Sequence, residues 1–573
     1  MADPIISFQD YGFQYAAQAS PTLYHITLDI YPGEKVLIAG ASGSGKSTVG
    51  NCINGLIPFA YPGESTGKLF VGGVEPKESS IFSLSHTVGT VLQDPDGQFI
   101  GLTVGEDIAF ALENDCVPQE KMKETVAEAA RLVDIEHHLQ YAPHELSGGQ
   151  KQRVSLAGVM VEQVQALLFD EPLANLDPAA GRSAIELIDR VQERTGAAVI
   201  IIEHRLEDVL WRRVDRIVLM DEGRIVADLP TKTFLSGKAL LEHGIREPLY
   251  LTALRYAGVP ITEEISPQHV NSLTLTNEQK GRVRAWYVET EKFRVEEKEK
   301  KELLRVENLS FGYTPEVMNL QDVSFSIREG EMVSIVGRNG AGKSTLAKLI
   351  CGFEKPLSGK ISLDGRDLLE DTIKERAQNI GYVMQNPNQM ISKPLIWDEV
   401  EMALLAGNMS ADERRERVEE TLKICGLYPF RKWPVSALSF GQKKRVTIAG
   451  ILVQRPRIIL MDEPTAGQDY RHYTEIMEFL KTLNAQGFTI VMITHDMHLM
   501  LEYTPRAIVF SEGRLLADTT AAHVLNDTEL VRRASLKETS LYTLSLQCGI
   551  DEPQKFTEGF IAYEESLRSG KTR

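Results

Sequence analysis

Short apolar runs punctuate the chain at matched places. Lys35–Ala39, Ala166–Phe169 and Ala198–Ile202 return in kind as Met332–Val336, Ile458–Met461 and Phe488–Ile493. Each runs into something chemically distinctive: a glycine-rich turn, a pair of acidic residues, or a histidine. Longer stretches of amphipathic helical spacing separate them. That alternation predicts a mainly parallel α/β sheet, and in such sheets ligands sit beyond the C-terminal strand ends. None of the apolar runs approaches the roughly 20 residues that a bilayer-spanning helix needs. Any part in membrane transport therefore calls for a separate membrane protein. Met1 to Asp10 has no basic segment followed by an apolar one, so no signal peptide is expected.

The segments after the runs repeat as a set, which is the mark of a duplicated domain. Gly40-Ala41-Ser42-Gly43-Ser44-Gly45-Lys46-Ser47-Thr48 returns 297 residues later as Gly337-Arg338-Asn339-Gly340-Ala341-Gly342-Lys343-Ser344-Thr345. Leu146-Ser147-Gly148-Gly149-Gln150 returns as Leu438-Ser439-Phe440-Gly441-Gln442. An Asp-Glu pair follows each, with Asp170 and Asp462 both 20 positions after the glutamine. His204 then lies 34 beyond Asp170, and His495 lies 33 beyond Asp462. The expected organisation is a first domain over 1–230, an appendage and charged linker over 231–302, a second domain over 303–516, and a C-terminal appendage over 517–573. The charge-dense stretch Glu289 to Glu302 reads as a solvated helix or tether.

Composition narrows the function classes. A chain of 573 residues is too long for one core. The formal net charge of −18 argues against a nucleic-acid binder that relies on overall charge. Five scattered cysteines, none in a C-x-x-C pair, suit neither a disulfide framework nor a zinc site, and fit a reducing cytosol.

The G-x-x-x-x-G-K-[ST] segments are phosphate loops. Their glycines let successive N–H groups face phosphate oxygens, and the helix that follows adds partial positive charge. Lys46 and Lys343 should reach the β and γ phosphates of a nucleotide, with Ser47 and Ser344 placing hydroxyls on Mg²⁺; the loop alone leaves many nucleotide hydrolases possible. A buried strand that ends in consecutive carboxylates is costly unless a metal or substrate balances the charge. A purely structural role for two such pairs is therefore disfavoured.

With the signature Leu-Ser-x-Gly-Gln added to the phosphate loop and the acidic strand end, the chain resembles the ATP-binding-cassette ATPases over nearly all of both repeats. The resemblance implies two P-loop cassette domains, each with a parallel core, an antiparallel β subdomain and a helical signature subdomain. It implies that Tyr15 and Tyr313 stack on adenine. It makes Asp170 and Asp462 the residues that hold Mg²⁺, with Gln93 and Gln385 as phosphate-sensing glutamines beside the metal. Glu171 and Glu463 become the general bases, His204 and His495 the switch histidines, and Asp177 and Asp469 the D-loop residues. In that family the signature of one domain faces the phosphate loop of the other. Ser439, Gly441 and Gln442 would then complete the site of Lys46, and Ser147, Gly148, Gly149 and Gln150 the site of Lys343, in an intramolecular dimer. Phe440 departs from the pattern, where the first repeat has Gly148, and leaves the relative rates of the two sites open.

The segment Gln93-Asp94-Pro95-Asp96-Gly97-Gln98-Phe99 and the later Asp107 to Asn114 look like the energy-coupling-factor importer ATPases. Gln385-Asn386-Pro387-Asn388-Gln389 follows that pattern less closely. This resemblance implies a T-type transmembrane partner, a small S-component that binds a vitamin (thiamine or its precursor among the options) or a metal ion, and a place on the cytoplasmic face of the membrane. Two alternatives stand beside it. A ribosome-acting tandem cassette protein would carry Asn-His-Leu-Asp after the acidic pair, where this chain has Leu173-Ala-Asn-Leu-Asp177 and Thr465-Ala-Gly-Gln-Asp469. A tandem sugar-importer ATPase commonly has one degraded site, whereas both sites here keep Lys, Asp, Glu, Gln and His.

Overall fold

The apolar runs of each repeat become the middle strands of a six-stranded sheet in the computed structural model, which describes residues 3–93, 97–174, 176–293, 300–314, 316–405, 407–466 and 468–568. The chain divides into two units. One comprises Met1–Trp286 with Asp469–Arg471, the other Tyr287–Gln468 with His472–Arg573.

In the first unit, β1 (Ile6–Tyr15), β2 (Leu23–Ile30) and β4 (Gly63–Val71) form an antiparallel sheet in the order β2-β1-β4. The larger sheet runs β5-β6-β7-β3-β8-β9. Its strands are β3 (Lys35–Gly40), β5 (Val88–Val91), β6 (Ala166–Asp170), β7 (Ala198–Ile202), β8 (Arg216–Asp221) and β9 (Arg224–Pro230). All its pairs are parallel except β8 with β9. Every residue of β3 and β7 is buried. Both faces of these central strands are covered, so they read as unbroken apolar runs rather than as an alternation. The core closes between the two sheets, through Phe8, Phe13 and Ile26 on one side and Val36, Ile38 and Ile200 on the other.

The second unit repeats the plan. Its antiparallel sheet has the order β11-β10-β13-β14, from β10 (Glu302–Phe311), β11 (Leu320–Arg328), β13 (Ser358–Leu363) and β14 (Arg366–Asp367). Its six-stranded sheet runs β15-β16-β17-β12-β18-β19, from β12 (Met332–Gly337), β15 (Ile380–Val383), β16 (Ile458–Asp462), β17 (Thr489–Ile493), β18 (Arg506–Ser511) and β19 (Arg514–Thr520). The two six-stranded sheets thus match strand for strand, while the second antiparallel sheet has the additional strand β14.

Helical segments follow the last strand of each repeat, including Leu249–Tyr256 and Asn277–Thr290 after the first and Ser540–Gln547 and Pro553–Arg568 after the second. Within the second unit, Tyr287 packs its ring 5.9 Å from Phe556, and Phe293 packs 5.6 Å from Tyr563. Residues 294–299 of the charged stretch lie outside the described residues, as do Asp94, Pro95, Asp96, Asn175 and Gly467. Among the described residues, no helix is long and apolar enough to cross a membrane.

Candidate functional site

Adjacent strand ends build each site. In the first unit β6, β7 and β3 are parallel neighbours, so Asp170, the residues after Ile202 and the turn after Gly40 all emerge at one edge. β16, β17 and β12 do the same in the second unit.

The phosphate loops start from two conformations that demand glycine. Gly45 has φ of 99° and Gly342 has φ of 97°, the left-handed region, immediately before the helices Lys46–Ile53 and Lys343–Cys351. A Cβ on Gly40 would sit 2.3 Å from the Met220 carbonyl oxygen, and one on Gly337 would sit 2.0 Å from that of Phe510. Lys46 is buried and donates from Nζ to the carbonyls of Gly40 and Ala41, both at 2.8 Å. Lys343 donates likewise to Gly337 and Arg338, at 2.7 and 2.8 Å. Burial pulls the Lys46 pKa down, while the nearby Glu171 opposes that shift. Ser42, Gly43 and Ser47 are exposed on the first loop, as are Asn339, Gly340 and Ser344 on the second, so the loops open to solvent. Ser44 is buried and Ala41 is half-buried; in the second loop Ala341 is buried and Arg338 half-buried. Thr48 is buried and Thr345 half-buried.

Asp170 fits the role of a metal ligand. Burial and the adjacent Glu171 push its carboxyl up to about 6, and the Ser47 hydroxyl opposes that shift through a hydrogen bond. Its Oδ1 is buried without a hydrogen-bond partner among the described residues. A buried acceptor left open beside a serine hydroxyl is what a hard cation with oxygen ligands would satisfy. In the second unit burial likewise raises Asp462, while hydrogen bonds from Tyr382 and Ser344 lower it. The Tyr382 hydroxyl is 3.0 Å from Asp462 Oδ2.

Glu171 and Glu463 follow at φ of 48° and 46°, a region that non-glycine residues seldom occupy. Each is anchored by its own N–H, to Ile202 and to Ile493 respectively, both at 2.9 Å. Strain held in place by a neighbouring strand is typical of functional positions. The two glutamates then take different partners. Gln93 donates from Nε2 to Glu171 Oε2 at 2.6 Å. In the second unit His495 Nδ1 meets Glu463 Oε1 at 2.7 Å, and Gln385 is exposed. Burial raises the Glu171 pKa, and the nearby His204 lowers it.

The signature segments are helix caps. Ser147 accepts from the Gln150 N–H at 3.4 Å, and Gln150 Oε1 accepts from the Ser147 N–H at 2.8 Å. Ser439 and Gln442 make the same reciprocal pair, at 3.3 and 3.0 Å. This is a capping box, and it leaves the Gly148, Gly149 and Gly441 backbone at helix N-termini, where an anion is favoured. Asp177 caps the helix Pro178–Thr195 by accepting from Ala180 N–H at 2.9 Å. Asp469 is buried and groups with the first unit.

The two aromatic candidates differ. Tyr15, at the end of β1, is half-buried, with its hydroxyl 3.2 Å from Thr48 Oγ1. Tyr313 is 51% exposed and receives Lys348 Nζ at 3.3 Å.

Motif reading missed several groups that the fold brings to the sites. Gln98 was named in the Gln93–Phe99 segment, but not its contacts: it accepts from the Leu92 N–H at 3.1 Å and donates to the Thr90 carbonyl at 3.2 Å. Lys444, 1% exposed, donates from Nζ to the carbonyls of Met384 and Gln385, at 3.1 and 2.7 Å. Its burial pushes the ammonium down to about 8. The aligned Gln152 instead donates to Pro172, at 2.8 Å. Glu203 lies buried beside His204. The one available signal was a difference between the repeats: Gln152 against Lys444, and Glu203 against Thr494.

Comparison with known proteins identifies what the chain as a whole is similar to. A family model described as ABC transporter matches residues 23–174 and again 320–466. A second, described as ATP-binding cassette cobalt transporter, matches residues 238–311. A protein of Clostridium perfringens described as an ABC transporter ATP-binding protein is 56% identical, over 99% of this chain and 99% of its own length. A similarly described protein of Enterococcus faecalis is 55% identical over 100% of both. Among solved structures, cbiO1 from Clostridium perfringens, part of the ABC transporter complex cbiONQ, is 34% identical. It covers 41% of this chain and 94% of its own, with a TM-score of 0.38.

Proposed function

Because the chain belongs to the ATP-binding-cassette transporter family, whose cassette domains are ATPases, we propose that it is the motor of an importer of the energy-coupling-factor type. On this reading it drives uptake of a vitamin or a metal ion through separate membrane proteins. The observation that carries the reading is the match of residues 238–311, the segment between the cassettes, to a cobalt-transporter model. That segment lies outside the nucleotide motifs common to all cassette ATPases, so it speaks to the kind of transporter. The Gln93 and Asp107 to Asn114 segments support the same class.

Each site would bind ATP with its phosphates on the loop N–H groups, with Lys46 or Lys343 leaving its loop carbonyls for the phosphate oxygens. Ser47, Asp170 and Gln93 would hold Mg²⁺ in one site, and Ser344, Asp462 and Gln385 in the other. The ion would supply charge neutralisation across the phosphates. Glu171 and Glu463 would take the proton of the attacking water. His204 and His495 would orient the terminal phosphate. Tyr15 and Tyr313 would stack on adenine. By the family resemblance, Ser439, Gly441 and Gln442 would cap the nucleotide of Lys46, and Ser147, Gly148, Gly149 and Gln150 that of Lys343, with Asp177 and Asp469 as the D-loop residues. By the family resemblance, ATP binding and hydrolysis would switch the chain between two states.

A T-type transmembrane protein would dock beside the loops that follow Gln93 and Gln385. Ile100 and Leu102 are 65% and 82% exposed there, and Leu395 and Leu405 are exposed in the second unit. Apolar side chains so displayed suit a partner helix. The chain would sit on the cytoplasmic face of the membrane through that contact. Affinity purification from detergent-solubilised membranes tests the reading. Co-purification of a multi-span partner and a small integral membrane protein is expected; recovery with ribosomes and no membrane chain would overturn it.

A further inference from the structure

Strand β7 ends at Ile202, and the next residue, Glu203, is fully buried at 0% exposure. A carboxylate removed from water is costly unless it is paired. Glu203 Oε1 accepts from the Arg205 N–H at 3.2 Å and lies 3.5 Å from Arg205 Nε. It also lies 3.6 Å from His204 Nδ1. Oε2 has no hydrogen-bond partner among the described residues. Asp170 pairs with Ile202, the Glu171 N–H donates to the Ile202 carbonyl at 2.9 Å, and the Glu203 N–H donates to the Ile38 carbonyl at 3.3 Å, so Glu203 stands at the strand edge that carries the site.

The second unit solves the same place differently. Thr494 stands where Glu203 does, and its hydroxyl accepts from the Asp496 N–H at 2.9 Å. The residue before His495 carries no charge, and His495 Nδ1 meets Glu463 directly at 2.7 Å. In the first unit Glu171 is held by Gln93. A carboxylate on Nδ1 fixes the tautomer of an imidazole and leaves Nε2 for the substrate. Such contacts are often long without ligand and tighten when it binds.

We propose that Glu203 is a positioning residue for hydrolysis at the Lys46 site. Acting through His204, it holds the imidazole toward the terminal phosphate, a task that the direct His495–Glu463 pair performs at the Lys343 site. This rests on the reading that both sites hydrolyse ATP. It adds that the same histidine is supported by different groups in the two sites.

A double-mutant cycle on the full chain tests it. In a Glu463→Gln background, whose remaining turnover comes from the Lys46 site, Glu203→Gln keeps the shape and removes the charge. It is expected to lower kcat on the order of tenfold, the scale of a lost charge-assisted contact, with KM for MgATP held within about twofold. His204→Ala should lower kcat further, and Glu203→Gln added to it should change nothing more, because Glu203 acts through that ring. If the background is itself silent, the cycle is read on the wild-type chain, where loss at one of two sites still removes about half of kcat or more. Glu203→Thr, the residue of the other unit, guards against a folding defect and should behave as Glu203→Gln does. In the Glu463→Gln background a kcat within about twofold of the parent for both Glu203 variants overturns the proposal; on the wild-type chain a kcat equal to the parent's does so, and in either case so do losses that multiply with His204→Ala. A wild-type chain that hydrolyses no ATP ends the underlying reading as well; an active wild type with indifferent Glu203 variants ends only this one.

Discussion

The two cassettes share a scaffold and differ in what surrounds it. Strand order, phosphate loops, acidic strand ends and capping boxes coincide between them. The surroundings do not. Glu171 pairs with Gln93, whereas Glu463 pairs with His495. Asp462 receives a tyrosine hydroxyl from β15, where β5 offers Thr90. Lys444 ties the second signature helix to the backbone at Gln385, whereas Gln152 ties the first to Pro172. The candidate phosphate, metal and water groups recur in both repeats, although their mutual contacts differ. Tyr382 and Lys444, which support them from outside the motifs, are replaced by Thr90 and Gln152 in the first repeat.

The largest expected effect breaks the symmetry outright. Glu171→Gln and Glu463→Gln, made singly, should each lower hydrolysis at their own site by about 10²–10⁴-fold, the usual contribution of a general base. The double variant should leave phosphate release near background. Equal wild-type rates in both single variants would remove the base assignment from each glutamate.

A smaller effect sharpens the comparison through pH. Asp170 must be ionised to hold a cation, and its carboxyl lies at about 6 without one. MgATP affinity at the Lys46 site should therefore fall as pH drops through about 6. The sign for stability is opposite. Because the folded value is raised, the nucleotide-free fold is favoured at acid pH, and that contribution is lost as pH rises through 6. Asp170→Asn should then raise the melting temperature of the nucleotide-free chain at pH 7 and leave it little changed at pH 4. At the other site, Tyr382→Phe removes a donor to Asp462, raises that carboxyl, and should move the loss of MgATP binding to higher pH. Nucleotide titrations and thermal melts between pH 4 and 8 read both signs.

The smallest effect concerns Phe440, the departure from the signature pattern. Its side chain is 43% exposed at the first helical position after Ser439. Phe440→Gly should lower stability by about 0.5–1 kcal/mol, the scale of placing a glycine in a helix. An appreciable loss of nucleotide affinity instead would place the ring against the nucleotide and make it a true difference between the sites.

The sequence by itself determined the duplicated plan, the strands that end in chemistry, and which lysines, aspartates, glutamates and histidines stand as candidates, because each rests on a contiguous motif or a local hydrophobic period. The capping role of the signature serine was legible in the same way, as Ser-x-x-Gln ahead of a helix. What only the tertiary structure decided is which distant groups meet. Gln93 reaches a glutamate 78 positions away, Tyr382 an aspartate 80 away, and Lys444 a carbonyl 59 away. Glu203 is next to His204 in the chain, yet nothing local announces that it is buried against the reaction centre. Burial and electrostatic neighbourhood are set by how strands stack into a sheet, and no short window of residues encodes that.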